Sequence, residues 1–184
     1  MNKFLSLGII VLVGSVLLIT GIHVFGLAYA QENLSFTATF SGKEVVPPVK
    51  TGGTGIANFE VSENSLSYQI NILNTGKVTS VQIHRGTAGT NGDVLATVFK
   101  PKGNGGDLID DMPKILDISS ITQRSSSFSF SGNFDESALT GPMKGNTISD
   151  LVLAMQSGET YVVVHTEDYP KGELRGQILK MKVN

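Results

Sequence analysis

The chain reads Tyr161-Val-Val-Val-His165-Thr-Glu-Asp-Tyr-Pro170-Lys-Gly-Glu-Leu-Arg175-Gly-Gln-Ile178 near its C-terminal end. This pattern predicts a strand, a tight polar turn and a second strand, with His165 at the junction. The whole chain contains three histidines, and one of them, His23, lies in an N-terminal apolar run. Any metal binding or acid–base chemistry near neutral pH would therefore draw first on His84 and His165.

Short runs of alternating apolar and polar residues, separated by Gly, Asn, Ser and Pro, extend this pattern in both directions. In residues 34–40, for example, every second side chain is apolar, which is typical of a half-buried strand. The predicted strands are 34–40, 56–61, 66–72, 78–84, 94–99, 128–134, 161–166 and 173–182. About eight strands with this spacing predict an all-β, antiparallel sandwich or barrel, and residues 103–126 remain unassigned.

One short helix interrupts the predicted strands. Thr147-Ile-Ser-Asp150 has the spacing of a capping box, and Leu-Val-Leu-Ala-Met-Gln follows it. Gly158 is placed to end this helix in a left-handed conformation. We expect the helix to pack over one end of the β structure.

Composition and charge exclude several classes of protein. Lys and Arg number 14 and Asp and Glu number 16 among 184 residues, giving a net charge of −2 without any basic stripe. A nucleic-acid partner is therefore not expected, since such proteins need clustered positive charge. Cysteine is absent, which excludes disulfides, thiolate zinc sites and a thiol nucleophile.

The N-terminal 30 residues have the layout of an export segment. No charged residue occurs between Lys3 and Glu32, and an apolar run fills residues 4–20. Ala28-Tyr-Ala30 fits the cleavage pattern of a signal peptide, with cleavage after Ala30. The run is also long enough to remain as an apolar membrane-anchor helix. Both alternatives place a domain of residues 31–184 outside the cytoplasm, either secreted or attached to the membrane.

Four motifs, in this order, resemble the CHRD domain over about residues 34–182. The motifs are Ser41-Gly-Lys-Glu-Val-Val-Pro-Pro-Val49, Thr51-Gly-Gly-Thr-Gly55, Val81-Gln-Ile-His84-Arg-Gly-Thr-Ala-Gly-Thr-Asn-Gly92, and Val164-His165-Thr with Pro170-Lys-Gly-Glu-Leu-Arg-Gly-Gln-Ile178. The domain is named for chordin, a secreted antagonist of bone morphogenetic proteins, and also occurs in bacterial and archaeal exported proteins. The resemblance implies an immunoglobulin-like or superoxide-dismutase-like β-sandwich with no well-established enzymatic activity. The family usually has His-Ile-His-Gly where this chain has Gln82-Ile-His84-Arg85, so a His-x-His pair is missing here.

The two remaining imidazoles define a possible metal site. If the fold brings His165 near His84, the pair could bind copper or zinc together with a carboxylate from Asp93, Asp168 or Glu173. The competing interpretation is that both histidines hydrogen-bond backbone or carboxylate groups at strand ends. On the last strand, the spacing of Glu173, Arg175 and Gln177 predicts one shared face, serving either as a recognition surface or as an internal ion pair.

These observations lead to three expectations for function. The first is a non-enzymatic, extracytoplasmic module that acts by binding or adhesion, with the loops at the His84/His165 end contacting an extracellular protein or surface ligand. The alternative is an exported copper- or zinc-binding protein that uses the same two histidines. A redox enzyme of the dismutase type has the least support, because such a site normally needs more imidazoles than this chain contains.

Overall fold

Ten antiparallel strands and one short α-helix make up the computed structural model, which describes residues 34–62, 65–101, 120–124 and 127–182. The strands are β1 Ser35–Ser41, β2 Thr54–Ser62, β3 Ser65–Leu73, β4 Val78–Arg85, β5 Val94–Phe99, β6 Ser120–Arg124, β7 Ser127–Phe134, β8 Thr160–Thr166, β9 Leu174–Gln177 and β10 Leu179–Lys180. The helix α1 spans Ile148–Gln156. The predicted all-β architecture with one short helix is confirmed. The predicted strand 173–182 is divided into β9 and β10, and β6 lies in the region that had no assignment.

The strands form one sheet in the order β5-β4-β8-β9-β1-β2-β3-β7-β6, with β10 paired to β1. The sheet curls on itself, because Phe99 of β5 lies 5.1 Å, between ring centroids, from both Phe128 and Phe130 of β7. The two halves of the sheet thus face each other around a shared core. The largest fully buried side chains include Phe36, Phe40, Phe59, Leu66, Ile70, Ile72, Ile83 and Leu95.

The strand alternation and the helix ends follow the sequence pattern. In β1 the side chains of Phe36, Ala38 and Phe40 are buried, whereas their neighbours face outwards. Helix α1 begins with the predicted capping box between Thr147 and Asp150. It is followed by Gly158 at φ +73°, a conformation that glycine adopts without strain.

Strand β8 departs from this alternation. Residues 160–164 are all buried, so both faces of the strand are covered. One face packs against the core, and the other is covered by loops. The candidate site lies on this loop-covered face of β8.

Residues 1–33, which include the predicted signal peptide or anchor helix, lie outside the described residues. Within the part of the chain that the structure does describe, no helix is both long enough and apolar enough to span a bilayer. Cleavage after Ala30 and a retained anchor therefore both stay predictions.

Candidate functional site

The candidate site lies on the outer face of β4, β8 and β9, which we call the covered face. Three rows of paired residues cross it: His84, Tyr161 and Gln177; then Gln82, Val163 and Arg175; then Ser80 and His165. Alternate residues of a strand point to the same side. These side chains therefore share the face opposite to the core residues Val81, Ile83 and Val162.

The loop between β4 and β5, residues 86–93, folds over the covered face. The Nδ1 of His84 donates a hydrogen bond to the carbonyl of Gly92 over 3.0 Å, and the amide of Gly92 donates to the Tyr161 hydroxyl over 3.0 Å. The Nη2 of Arg175 donates to the carbonyl of Thr87 over 2.8 Å. As a result, only 2% of Tyr161 and 2% of Arg175 is exposed.

Gln177 ties the base of this loop to two other elements. Its Nε2 lies within hydrogen-bonding distance of the carbonyls of Gly86, Gly158 and Thr160, at 2.9, 2.7 and 2.8 Å. An amide nitrogen carries two protons, so the three acceptors share them. This side chain fastens the start of the loop to the end of α1 and to the start of β8.

The two imidazoles meet on the covered face. The ring centroids of His84 and His165 are 6.3 Å apart, with an angle of 36° between the planes. The Nδ1 of His165 lies 3.0 Å from the carbonyl of Pro170, just as the Nδ1 of His84 contacts Gly92. A carbonyl only accepts, so each Nδ1 carries a proton, and in the neutral form of each ring the lone pair is then on Nε2. Both Nε2 atoms are buried and have no hydrogen-bond partner among the described residues.

The surroundings of His84 lower its pKa. Burial lowers the pKa of His84, and the nearby His165 and Arg175 lower it further, against the opposing effects of the Gly92 hydrogen bond and Asp93. Burial also lowers the pKa of Arg175, although its guanidinium carbon lies 3.6 Å from the centroid of the Tyr161 ring, in a cation–π contact. A charged guanidinium therefore lies on the same face as His84.

Of the two interpretations of Glu173 and Arg175, the internal ion pair is wrong, because each side chain binds other partners. Glu173 is 2% exposed, and it accepts hydrogen bonds from the hydroxyls of Thr51 over 2.6 Å and Thr166 over 2.7 Å. It precedes β9. Its partner Thr166 is the residue after His165 on β8 and so lies on the opposite side of the sheet, which means that Glu173 does not share the face of Arg175. The bonds of Glu173 brace the turn between β8 and β9, whereas Arg175 holds the loop 86–93.

The three candidate carboxylates do not gather around the imidazoles. Both oxygens of Glu173 are engaged by threonines, Asp93 is exposed, and Asp168 lines a separate groove. Nowhere in the described part of the chain do three or more His, Cys, Asp or Glu side chains group in a way that could hold a metal ion. The metal role of His84 and His165 stays a prediction that rests on these two rings alone.

A groove of about 440 Å³ opens beside the covered face. One wall is formed by residues of the segment 45–49 and the other by residues 168–172, with Asn91 between them. The amide of Asn91 donates to the carbonyl of Val46 over 2.9 Å, which joins the loop 86–93 to the first wall. The hydroxyl of Tyr169 donates to the carbonyl of Lys50 over 3.3 Å and joins the second wall to the first.

Sequence reasoning missed the roles of Tyr161 and Gln177. Tyr161 stacks on His84, with ring centroids 5.3 Å apart, and also receives Arg175 on its ring. A signal for it existed, because the run Tyr161-Val-Val-Val164 lacks the polar alternation of a half-exposed strand. Such a run indicates that both faces of the strand are buried.

Comparisons with known proteins identify one family. The model of the CHRD domain matches residues 36–178. No curated protein and no solved structure matches the chain.

Proposed function

The chain belongs to the CHRD domain family, and from this we propose that it works outside the cytoplasm as a binding module rather than as a catalyst. Export is supported by the uncharged apolar run that fills the N-terminal segment. A binding role is supported by one feature above all, which is the groove between the segment 45–49 and the turn 168–172.

The groove has the character of a protein-binding surface. Its walls include Val46, Pro47 and Pro170, and the charged side chains of Asp168 and Lys171 also line it. Buried apolar contacts inside a polar rim are typical of interfaces between proteins. We therefore propose an extracellular protein as the partner, which inserts an apolar side chain between the walls and pairs its charges with the rim.

The walls are held in place before any partner arrives. The bond from Asn91 to Val46 and the bond from Tyr169 to Lys50 both cross between segments that line or flank the groove. A preformed groove loses less conformational entropy on binding than a flexible one. This rigidity suits specific recognition.

Binding can be tested on intact cells of the natural host that lack the gene. Fluorescently labelled protein is expected to bind these cells saturably, and Val46→Asp is expected to weaken binding at least about tenfold by placing a charge in the apolar wall. Ile56→Asp is the matched control, because Ile56 is a partly exposed apolar residue of β2 outside the groove. Absence of saturable binding, or equal losses in both variants, would overturn the proposal.

The location can be tested separately. A protease added to intact cells is expected to digest the domain, and mass spectrometry of the N-terminus should find either Gln31 or the intact leader. Protection of the domain until the cells are lysed would contradict an extracytoplasmic location.

A further inference from the structure

The rings of His84 and His165 lean towards each other along their strands. His165 pairs with Ser80, which lies four residues before His84 on β4. At about 3.3 Å per residue, the two positions are about 13 Å apart along the strand direction. The ring centroids are nevertheless only 6.3 Å apart. The two rings therefore lean towards each other across the row between them.

Both rings are oriented as metal ligands are. Each Nδ1 donates its proton to a backbone carbonyl, at Gly92 for His84 and at Pro170 for His165. This outer contact fixes the tautomer and raises the basicity of the other nitrogen, as it does for most metal-bound histidines. Burying two Nε2 atoms without a hydrogen-bond donor is energetically costly. A single metal ion between them would accept the lone pairs of both nitrogens.

The separation of the rings discriminates between coordination geometries. With a metal–nitrogen bond of about 2.0 Å and a ring nitrogen about 1.1 Å from the ring centre, a linear N–metal–N unit separates the centres by about 6.2 Å. A tetrahedral angle at the metal would bring the centres to about 5.1 Å. The observed 6.3 Å agrees with the linear arrangement.

The charged and ligand-bearing side chains around the two rings determine which metal ion can bind. Within the described residues no carboxylate joins the two imidazoles, so a four-coordinate zinc site is incomplete. The guanidinium of Arg175 lies on the same covered face, against the ring of Tyr161, and its charge opposes a divalent cation more than a monovalent one. A monovalent ion with a filled d shell accepts two neutral nitrogen ligands in a line. We propose that His84 Nε2 and His165 Nε2 bind one Cu(I) ion in two-coordinate geometry.

The first test titrates the full-length protein with Cu(I) under anaerobic, reducing conditions against a chromophoric chelator. We expect one Cu(I) per chain, displacement by Ag(I) and no competition from Zn(II). X-ray absorption is expected to show two nitrogen neighbours at about 2.0 Å and no third. A stoichiometry well below one, or a site with three or more ligands, would overturn the proposal.

Variants assign the ligands. His84→Gln and His165→Gln are each expected to weaken Cu(I) binding at least about tenfold. Glu60→Gln, which changes an exposed side chain of β2 away from the covered face, is the control and is expected to leave the affinity unchanged. Unchanged affinity in either histidine variant, or an equal loss in Glu60→Gln, would contradict the assignment.

A substitution that adds a ligand sharpens the test. Gln82 lies on the covered face between the rows of His84 and His165. Gln82→His should add a third imidazole, so that X-ray absorption of the Cu(I)-loaded variant shows three nitrogen neighbours. Two neighbours, as in the unmutated protein, would contradict an ion bound between the two rows.

Nitrogen NMR on the unmutated protein tests the site without substitutions that could themselves unfold the chain. Ag(I) binding is expected to shift the Nε2 resonances of both histidines and to leave both Nδ1 protons in place. A shift of only one ring, or of none, would overturn the two-ligand site. This outcome is independent of groove binding, which the cell assay measures.

Discussion

The covered face and the outer face of β1, β2 and β3 belong to the same sheet but differ in composition and exposure. The second, which we call the open face, carries short neutral side chains such as Thr39, Asn58 and Gln69, all half-buried or exposed. On the covered face, by contrast, Tyr161 and Arg175 are almost completely buried. The strands under the covered face and under the open face are pleated alike, so the difference in exposure arises from the loops that lie over them.

Loop paths determine which polar groups are removed from water. The hairpin from β2 to β3 pairs Ser62 directly with Ser65 and has no length to fold back. The loop 86–93 is longer and lies over β4, β8 and β9, and residues 42–44 contact β9. Polar groups beneath them need protein partners, because a buried polar group without a hydrogen bond is costly. This explains why many contacts of the covered face end on backbone carbonyls.

The largest effect is expected when the loop is displaced. A Cβ at position 92 would overlap the carbonyl oxygen of Arg85, so Gly92→Ala forces the loop 86–93 to move. We expect the free energy of unfolding to fall by about 2–3 kcal/mol, as measured by denaturant titration.

The matched control for this change is Gly52→Ala. A Cβ at position 52 meets no atom within 4 Å, so the free energy of unfolding should change by at most about 0.5 kcal/mol. Equal effects of the two substitutions would show that the loop does not hold the covered face in place.

An intermediate effect is expected at the buried carboxylate. The hydroxyls that donate to Glu173 also accept backbone N–H bonds, Thr51 from Gly53 and Thr166 from Tyr169, which orients them as donors to the carboxylate. Glu173→Gln replaces one acceptor oxygen by an NH₂ group. We expect a loss of about 2 kcal/mol in unfolding free energy.

The exposed ion pair between Lys77 and Glu167 provides the comparison. Its nitrogen and oxygen lie 2.9 Å apart, with 62% and 58% of the side chains exposed. Glu167→Gln is therefore expected to cost at most about 0.5 kcal/mol in the same titration. If Glu167→Gln lowered the unfolding free energy as much as Glu173→Gln, the burial of a carboxylate would not determine its contribution to stability.

The smallest effect is expected at α1, which belongs to neither face. The backbone N–H and the hydroxyl of Thr147 donate to Asp150, and these bonds lower the pKa of Asp150. The folded-state pKa thus lies below the unfolded value of about 3.9. The resulting stabilisation is complete above about pH 5 and is lost as the pH falls through the folded-state pKa.

Asp150→Asn should therefore flatten the dependence of Tm on pH between about pH 5 and pH 3. Glu60→Gln, which removes an exposed carboxylate from β2, serves as the control and should leave the slope unchanged. An identical slope in the wild type and Asp150→Asn would refute the role of this bond in acid stability.

The strands could be predicted because alternation is local. The predicted strand 78–84 differs from the observed β4 by one residue, since the apolar positions Val81 and Ile83 are fixed by the pleat. The division of 173–182 could not be predicted, because β9 pairs mainly with β8 whereas β10 pairs with β1. A change of partner leaves the alternation along the run unaltered.

The covered face could be predicted only in part. The sequence spacing places His84 and Gln82 on one face, but the meeting of His84 and His165 depends on which strands pair. The partner of Arg175 could not be predicted, because Thr87 is 88 residues away along the chain. Spacing alone predicts Glu173 as a partner of Arg175, but Glu173 lies outside β9.

The loop 86–93 has a fixed stem and a free tip. Its ends are fastened through Gly86 and Gly92, while a Cβ at Gly89 would meet no atom within 4 Å. A foreign peptide inserted after Ala88 would therefore be presented from a rigid base without disturbing the strands. Because the chain contains no cysteine, such a display scaffold would need no oxidising compartment during production.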